Sequence, residues 1–170
     1  MSGQLPVQID PIRLADEGVR LDGVLPGGRL ARLREQTLRA DQPVSVTLQF
    51  ERTAQGERRL QGTLRTRVEV PCRRCLRPFE LEINAQPHLL LLPVGEVEPE
   101  EGESLIIEGP LSLIDLVEEE LLLAMPMFPG HAEGECEVAL PETTGRKPAT
   151  VTKKNPFAEL RGFKEKNQDE

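Results

Sequence analysis

Three stretches of this chain alternate apolar with polar residues, and a period of two fits a strand buried on one face and little else. In the first, Val44, Val46, Leu48 and Phe50 interleave with Ser45, Thr47 and Gln49. A second starts at Leu60 and sets Leu64, Val68 and Val70 against Thr63, Arg65, Arg67 and Glu69. The third sets Phe79, Leu81, Ile83, Ala85, Leu89 and Leu91 against Glu80, Glu82, Asn84, Gln86 and His88. Joined through a hairpin over Thr53 to Arg59, these runs predict an antiparallel sheet with one wet face. Two helices are expected beside it. Pro26-Gly27-Gly28 precedes a modest apolar stripe over Arg29 to Ala40, formed by Leu30, Leu33, Thr37 and Leu38 and ended by Asp41-Gln42-Pro43. The second helix has a clearer start: Ser112 is a candidate N-cap with Asp115 three residues on. There Leu113, Leu116, Val117, Leu121 and Ala124 form the buried stripe, Glu118 to Glu120 the solvated face, and Pro126 the stop. The fold class is therefore α+β, an antiparallel and partly closed sheet of roughly four to six strands with two helices and a disordered C-terminal tail.

The 170 residues are enough for one core without disulfide staples. We place a single domain at residues 1–138, a disordered linker at 139–154 and a C-terminal segment at 155–170, where Pro156 and Phe157 are candidate docking anchors. Val94 to Ser104 alternates glutamate with glycine and proline and is expected to be a mobile acidic loop. Apolar runs fall far short of the ~18 residues of a membrane span. The start of the chain has neither the basic nor the apolar segment of a secretory signal. With three cysteines, an odd number, the expectation is a reduced, cytoplasmic protein.

Net charge is -8, but its distribution matters more than its sum. Residues 52–77 hold eight arginines against Glu57 and Glu69, whereas residues 78–145 hold sixteen carboxylates and no lysine or arginine. An acidic protein that gathers arginine in one stretch suggests an interaction surface, with phosphate as the leading partner. The alternative is internal pairing: Arg65 and Arg67 facing Glu80 and Glu82 across strands. Arg65, Arg67, Arg73, Arg74 and Arg77 are the candidate nucleic-acid contacts. With five phenylalanines as the only aromatics, there is no stacking platform, so contacts would go to backbone and shape.

Cys72-x-x-Cys75 follows the second strand, and His131-x4-Cys136 follows the second helix. Two close donor pairs from separate loops suit a structural zinc site, making Cys72, Cys75, His131 and Cys136 candidate ligands. Plain reduced thiols and a redox pair are the other options, although no thioredoxin-like pattern surrounds the cysteines. Two histidines, serines outside any nucleophile elbow and no glycine-rich phosphate loop leave little for catalysis. No small-molecule substrate and no membrane are expected, and no cofactor beyond that zinc ion.

Five motifs occur in order: Leu60-x-Gly62, Cys72-Arg73-Arg74-Cys75-Leu76-x-Pro78-Phe79, Ile114 to Pro126, His131-x4-Cys136 and Asn155-Pro156-Phe157-Ala158-x-Leu160. In this order the chain, from about Leu5 to Lys166, resembles the large ribosomal RNA subunit accumulation protein family, the YceD-like proteins of bacteria. The resemblance implies a non-enzymatic role in the synthesis, processing or stability of 23S ribosomal RNA and in large-subunit assembly. Ribosomal RNA or a pre-ribosomal particle is the implied partner, with ribosomal proteins or a processing nuclease as the alternative for an acidic adaptor. No catalytic residue and no established metal site come with it. Cys72, Cys75, Asp115, Pro126, His131, Cys136, Pro156 and Phe157 carry over as family positions without an assigned role.

Overall fold

A computed structural model describes residues 4–97, 102–132 and 134–136. The chain divides into two units, Met1–Val138 and Ala139–Glu170, and the second lies wholly outside the described residues, as do Pro156, Phe157 and the expected linker. In the first unit, strand β1 (Gln8–Ile9) leads into helix α1 (Pro11–Glu17), then β2 (Arg20–Leu25), a 3₁₀ turn (Gly27–Arg29) and helix α2 (Ala31–Gln36). Strands β3 (Val44–Arg52), β4 (Arg58–Pro71), β5 (Pro78–Ala85), β6 (His88–Pro93), β7 (Glu103–Ile107) and β8 (Leu111–Ser112) follow, and helix α3 (Leu113–Ala124) closes the series. Among the described residues no helix is long and apolar enough to cross a membrane.

The alternating runs do what their period requires. Val44, Val46, Leu48 and Phe50 on β3 and Leu60, Leu64, Val68 and Val70 on β4 are buried in one core with Leu113, Val117 and Leu121 of α3. β3 and β4 form the expected antiparallel hairpin, with Phe50 opposite Leu60 and Val46 opposite Leu64. The third run is two strands, however. β5 pairs with the second half of β4 and β6 with its first half, so both share one edge of that long strand. The break falls at Gln86-Pro87, where the Pro87 carbonyl accepts from the Gly62 N–H at 3.1 Å. Gly62 lies against Leu48, and a Cβ there would meet the Thr47 carbonyl oxygen at 2.2 Å. The sheet order is β2-β3-β4-β6-β7 with β5 on β4, an open path rather than a closing one, and β1 pairs with β8 in a separate two-stranded sheet.

Several expectations need correction. β7 runs parallel to β6 and begins at Glu103, so the acidic loop is shorter than expected, and residues 98–101 within it lie outside the described residues. Helix α1 was not foreseen. Asp10 caps it by accepting from the Arg13 N–H at 3.2 Å, Pro11 opens it, and Gly18 ends it in the left-handed region at φ 66°. α2 stops at Gln36 instead of Ala40, because Leu38 and Arg39 leave the helix to bond the free edge of β4 at Glu69. α3 starts and stops as expected, with the Ser112 hydroxyl accepting from the Asp115 N–H at 3.3 Å, but Ala124, expected in the buried stripe, is exposed. Of the three glutamates expected on its solvated face, only Glu119 is exposed. Glu118 is buried and accepts from the Leu33 N–H at 3.1 Å, supplying from a neighbouring helix the cap that Leu30 lacks at the start of α2. Glu119 pairs with Arg32 at 2.6 Å, and Glu120 is buried.

Candidate metal centre and arginine knuckle

The β4–β5 ladder ends where Pro71 faces Pro78, and residues 72–77 turn the chain between them. Leu76 takes φ 62°, the one positive φ outside glycine among the described residues. The Cys72 N–H donates to the Arg77 carbonyl and the Leu76 N–H to the Cys72 carbonyl, both at 2.9 Å. This tight turn holds both cysteines toward the loop that follows α3. That loop is drawn in by the Arg73 N–H, which donates to the Pro129 carbonyl at 2.9 Å, and by the Arg74 guanidinium, which bonds the carbonyls of His131 and Ala132.

The four predicted ligands meet. One donor atom each from Cys72, Cys75, His131 and Cys136 lie within 4.8 Å of one another. The Cys72 and Cys136 sulfurs are 3.8 Å apart, and the Cys75 sulfur is 3.5 Å from His131 Nδ1. A tetrahedral ion with Zn–S near 2.3 Å and Zn–N near 2.05 Å has S···S edges of about 3.8 Å and S···N edges of about 3.6 Å. The spacing therefore suits an ion at the centre and is too long for a disulfide, whose S–S bond is about 2.05 Å. The His131 ring is packed on Phe79 with centroids 4.8 Å apart, which fixes its orientation.

Electrostatics differ around the cluster. The Cys75 backbone N–H points at the Cys72 sulfur, helped by N–H groups of His131 and Arg74, and together they hold this thiol at about 5 despite its burial. Burial pushes the Cys136 thiol up to about 11, with the neighbouring Cys75 and Cys72 adding to the effect. A thiolate at Cys72 ready to bind a cation, with a protonated partner beside it, is the state expected of a ligand set whose protons leave as metal enters.

The five candidate arginines do not form one patch. Arg67 on β4 pairs with Glu80 of β5 at 3.5 Å, and Arg65 stands opposite Asn84, so internal pairing claims one of the two. Arg74 is tied to the loop carbonyls. Arg77 flanks the turn and gives its carbonyl to Cys72. Arg73 is exposed, and among the described residues its guanidinium has no ion pair. It reaches the rim of a groove of about 450 Å³ between the knuckle, α2 and the end of α3, lined also by Arg32, Gln36, Leu122, Met125 and Met127. Sequence reasoning missed this groove. Its signal was Met125-Pro-Met-Phe-Pro129, an apolar stretch between prolines that cannot continue a helix and leaves Met127 and Phe128 83% and 79% exposed.

Residues 60–164 match the model of the family described as large ribosomal RNA subunit accumulation protein YceD. The chain is 31% identical over 172 residues to the Haemophilus influenzae protein named large ribosomal RNA subunit accumulation protein YceD, an alignment covering 96% of this chain and 98% of that one. No solved structure matches. The family match spans β4, the knuckle and α3, and the relative extends the likeness over almost the whole length, so the chain belongs to the YceD family.

Proposed function

We propose that this chain is a non-enzymatic factor in the accumulation of large-subunit ribosomal RNA, acting in the cytoplasm where the large subunit is assembled. In this reading Cys72, Cys75, His131 and Cys136 hold a structural zinc ion, and the knuckle they fix offers Arg73, with Arg65 on the outer sheet face, to RNA phosphate. The observation that carries it is the convergence of four donors within 4.8 Å directly beside an arginine free of ion pairs among the described residues. Zinc, when bound, supplies a fixed charge and four bonds that join two loops, and a full set of protein ligands leaves no position for a reacting water. The chain's own residues do the rest: Arg74 holds the second loop in place and Phe79 orients His131.

The acidic-adaptor reading loses ground on one point. Two carboxylates of the second half find counter-charges in the first, Glu119 in Arg32 and Glu80 in Arg67, so at these positions the acidic half is engaged within the fold. Crosslinking of the full chain to RNA in cells, with the RNA sequenced, tests the proposal. Reads concentrated on 23S precursor that fall several-fold with Arg73→Glu and Arg65→Glu together are the expected result. Purification of ribosomal proteins or a nuclease with no crosslinked RNA would overturn it.

A further inference from the structure

Resting on the RNA reading above, we infer that the groove beside the knuckle accepts one unstacked base of single-stranded RNA, with Arg73 on the phosphate next to it. The cavity of about 450 Å³ lies within the 300–1,000 Å³ range of small-ligand clefts, room for a single nucleotide but not for a base pair with its neighbours. Its lining brings Leu122, Met125, Pro126 and Met127 together with Gln36 and Glu35. Thioether and proline groups offer apolar contact to a heterocycle, and the amide and carboxylate match the donors and acceptors of a base edge.

Charge decides between occupants. An apolar side chain from a protein partner would meet the apolar part of the lining but make no use of the exposed Arg73 guanidinium. A nucleotide brings a flat ring and a phosphate on one unit, and the groove presents an apolar face and a guanidinium side by side. Arg32, on the same wall, is already paired with Glu119 at 2.6 Å, which leaves Arg73 as the phosphate contact.

The test is fluorescence anisotropy of the full chain with a short labelled single-stranded RNA, the same strand as a duplex, and an abasic strand of equal charge. The base-bearing single strand should bind several-fold tighter than the abasic one. Met127→Ser, at an exposed position where thermal melting verifies an intact fold, should erase most of that difference and leave abasic binding unchanged. Arg73→Gln should weaken both strands alike and lower the salt slope by about one. Equal binding of base-bearing and abasic strands overturns the base site while leaving phosphate contact standing. Binding of no RNA at all overturns both. Unchanged RNA affinity in Met127→Ser, with loss of a ribonuclease-resistant protein partner, assigns the groove to a protein and overturns the inference.

Discussion

Glu120 is a carboxylate that folding does not welcome. Burial raises its pKa above the usual range, and the nearby carboxylates of Glu103 and Glu119 push in the same direction. A pKa raised in the folded state favours the protonated form, so this residue's contribution to stability is fully present below the unfolded value of about 4.5 and is lost as pH rises through the folded value. Glu120→Gln is therefore expected to raise the thermal midpoint at pH 7 and to leave it nearly unchanged at pH 4, read by melting the two proteins across that interval. Glu118, two residues earlier, is equally hidden but has the Leu33 N–H to accept. Nothing in the run Glu118-Glu119-Glu120 distinguishes these roles by type. They depend on which elements lie beside them, α2 at Glu118 and Glu119 and Glu103 of β7 near Glu120, and that is a property of the fold rather than of the local pattern.

Elements held by local chemistry were legible, and those held by distant partners were not. β3, β4 and α3 follow from alternation and a serine cap. α1 carries an equally local signature, Asp10-Pro11 at its start and Gly18 past its end, but its apolar residues span only two turns and give no clear period. β7 is short and parallel, so its partner lies across a loop and no turn announces it. The split of the third run into β5 and β6 falls at Gln86-Pro87, where proline has no N–H for the ladder and its carbonyl accepts from Gly62, a position with no room for a side chain. Gly62→Ala puts a methyl group 2.2 Å from the Thr47 carbonyl oxygen and is expected to cost about 1–3 kcal/mol, the range of overpacked sites, measured by denaturant unfolding.

For the molecule as a whole, the cluster of Cys72, Cys75, His131 and Cys136 was legible because cysteine and histidine in close pairs are rare enough to stand out, even with 55 residues between the pairs. Sorting the arginines was not possible, since whether a guanidinium is engaged depends on strand register for Arg67 and on a docked loop for Arg74. The zinc proposal predicts one ion per chain by mass spectrometry under native conditions. Cys136→Ser is expected to lower that stoichiometry and the melting temperature together, and equal melting of metal-loaded and chelator-treated wild type would count against a structural role. The donors also set an order of events. Cys72 and Cys75 leave a translating ribosome long before His131 and Cys136, and β5, β6, β7, β8 and α3 lie between the two pairs. On the zinc proposal, a chain interrupted anywhere in that interval has two ligands and no centre, so metal uptake would be a late step that waits for the second pair.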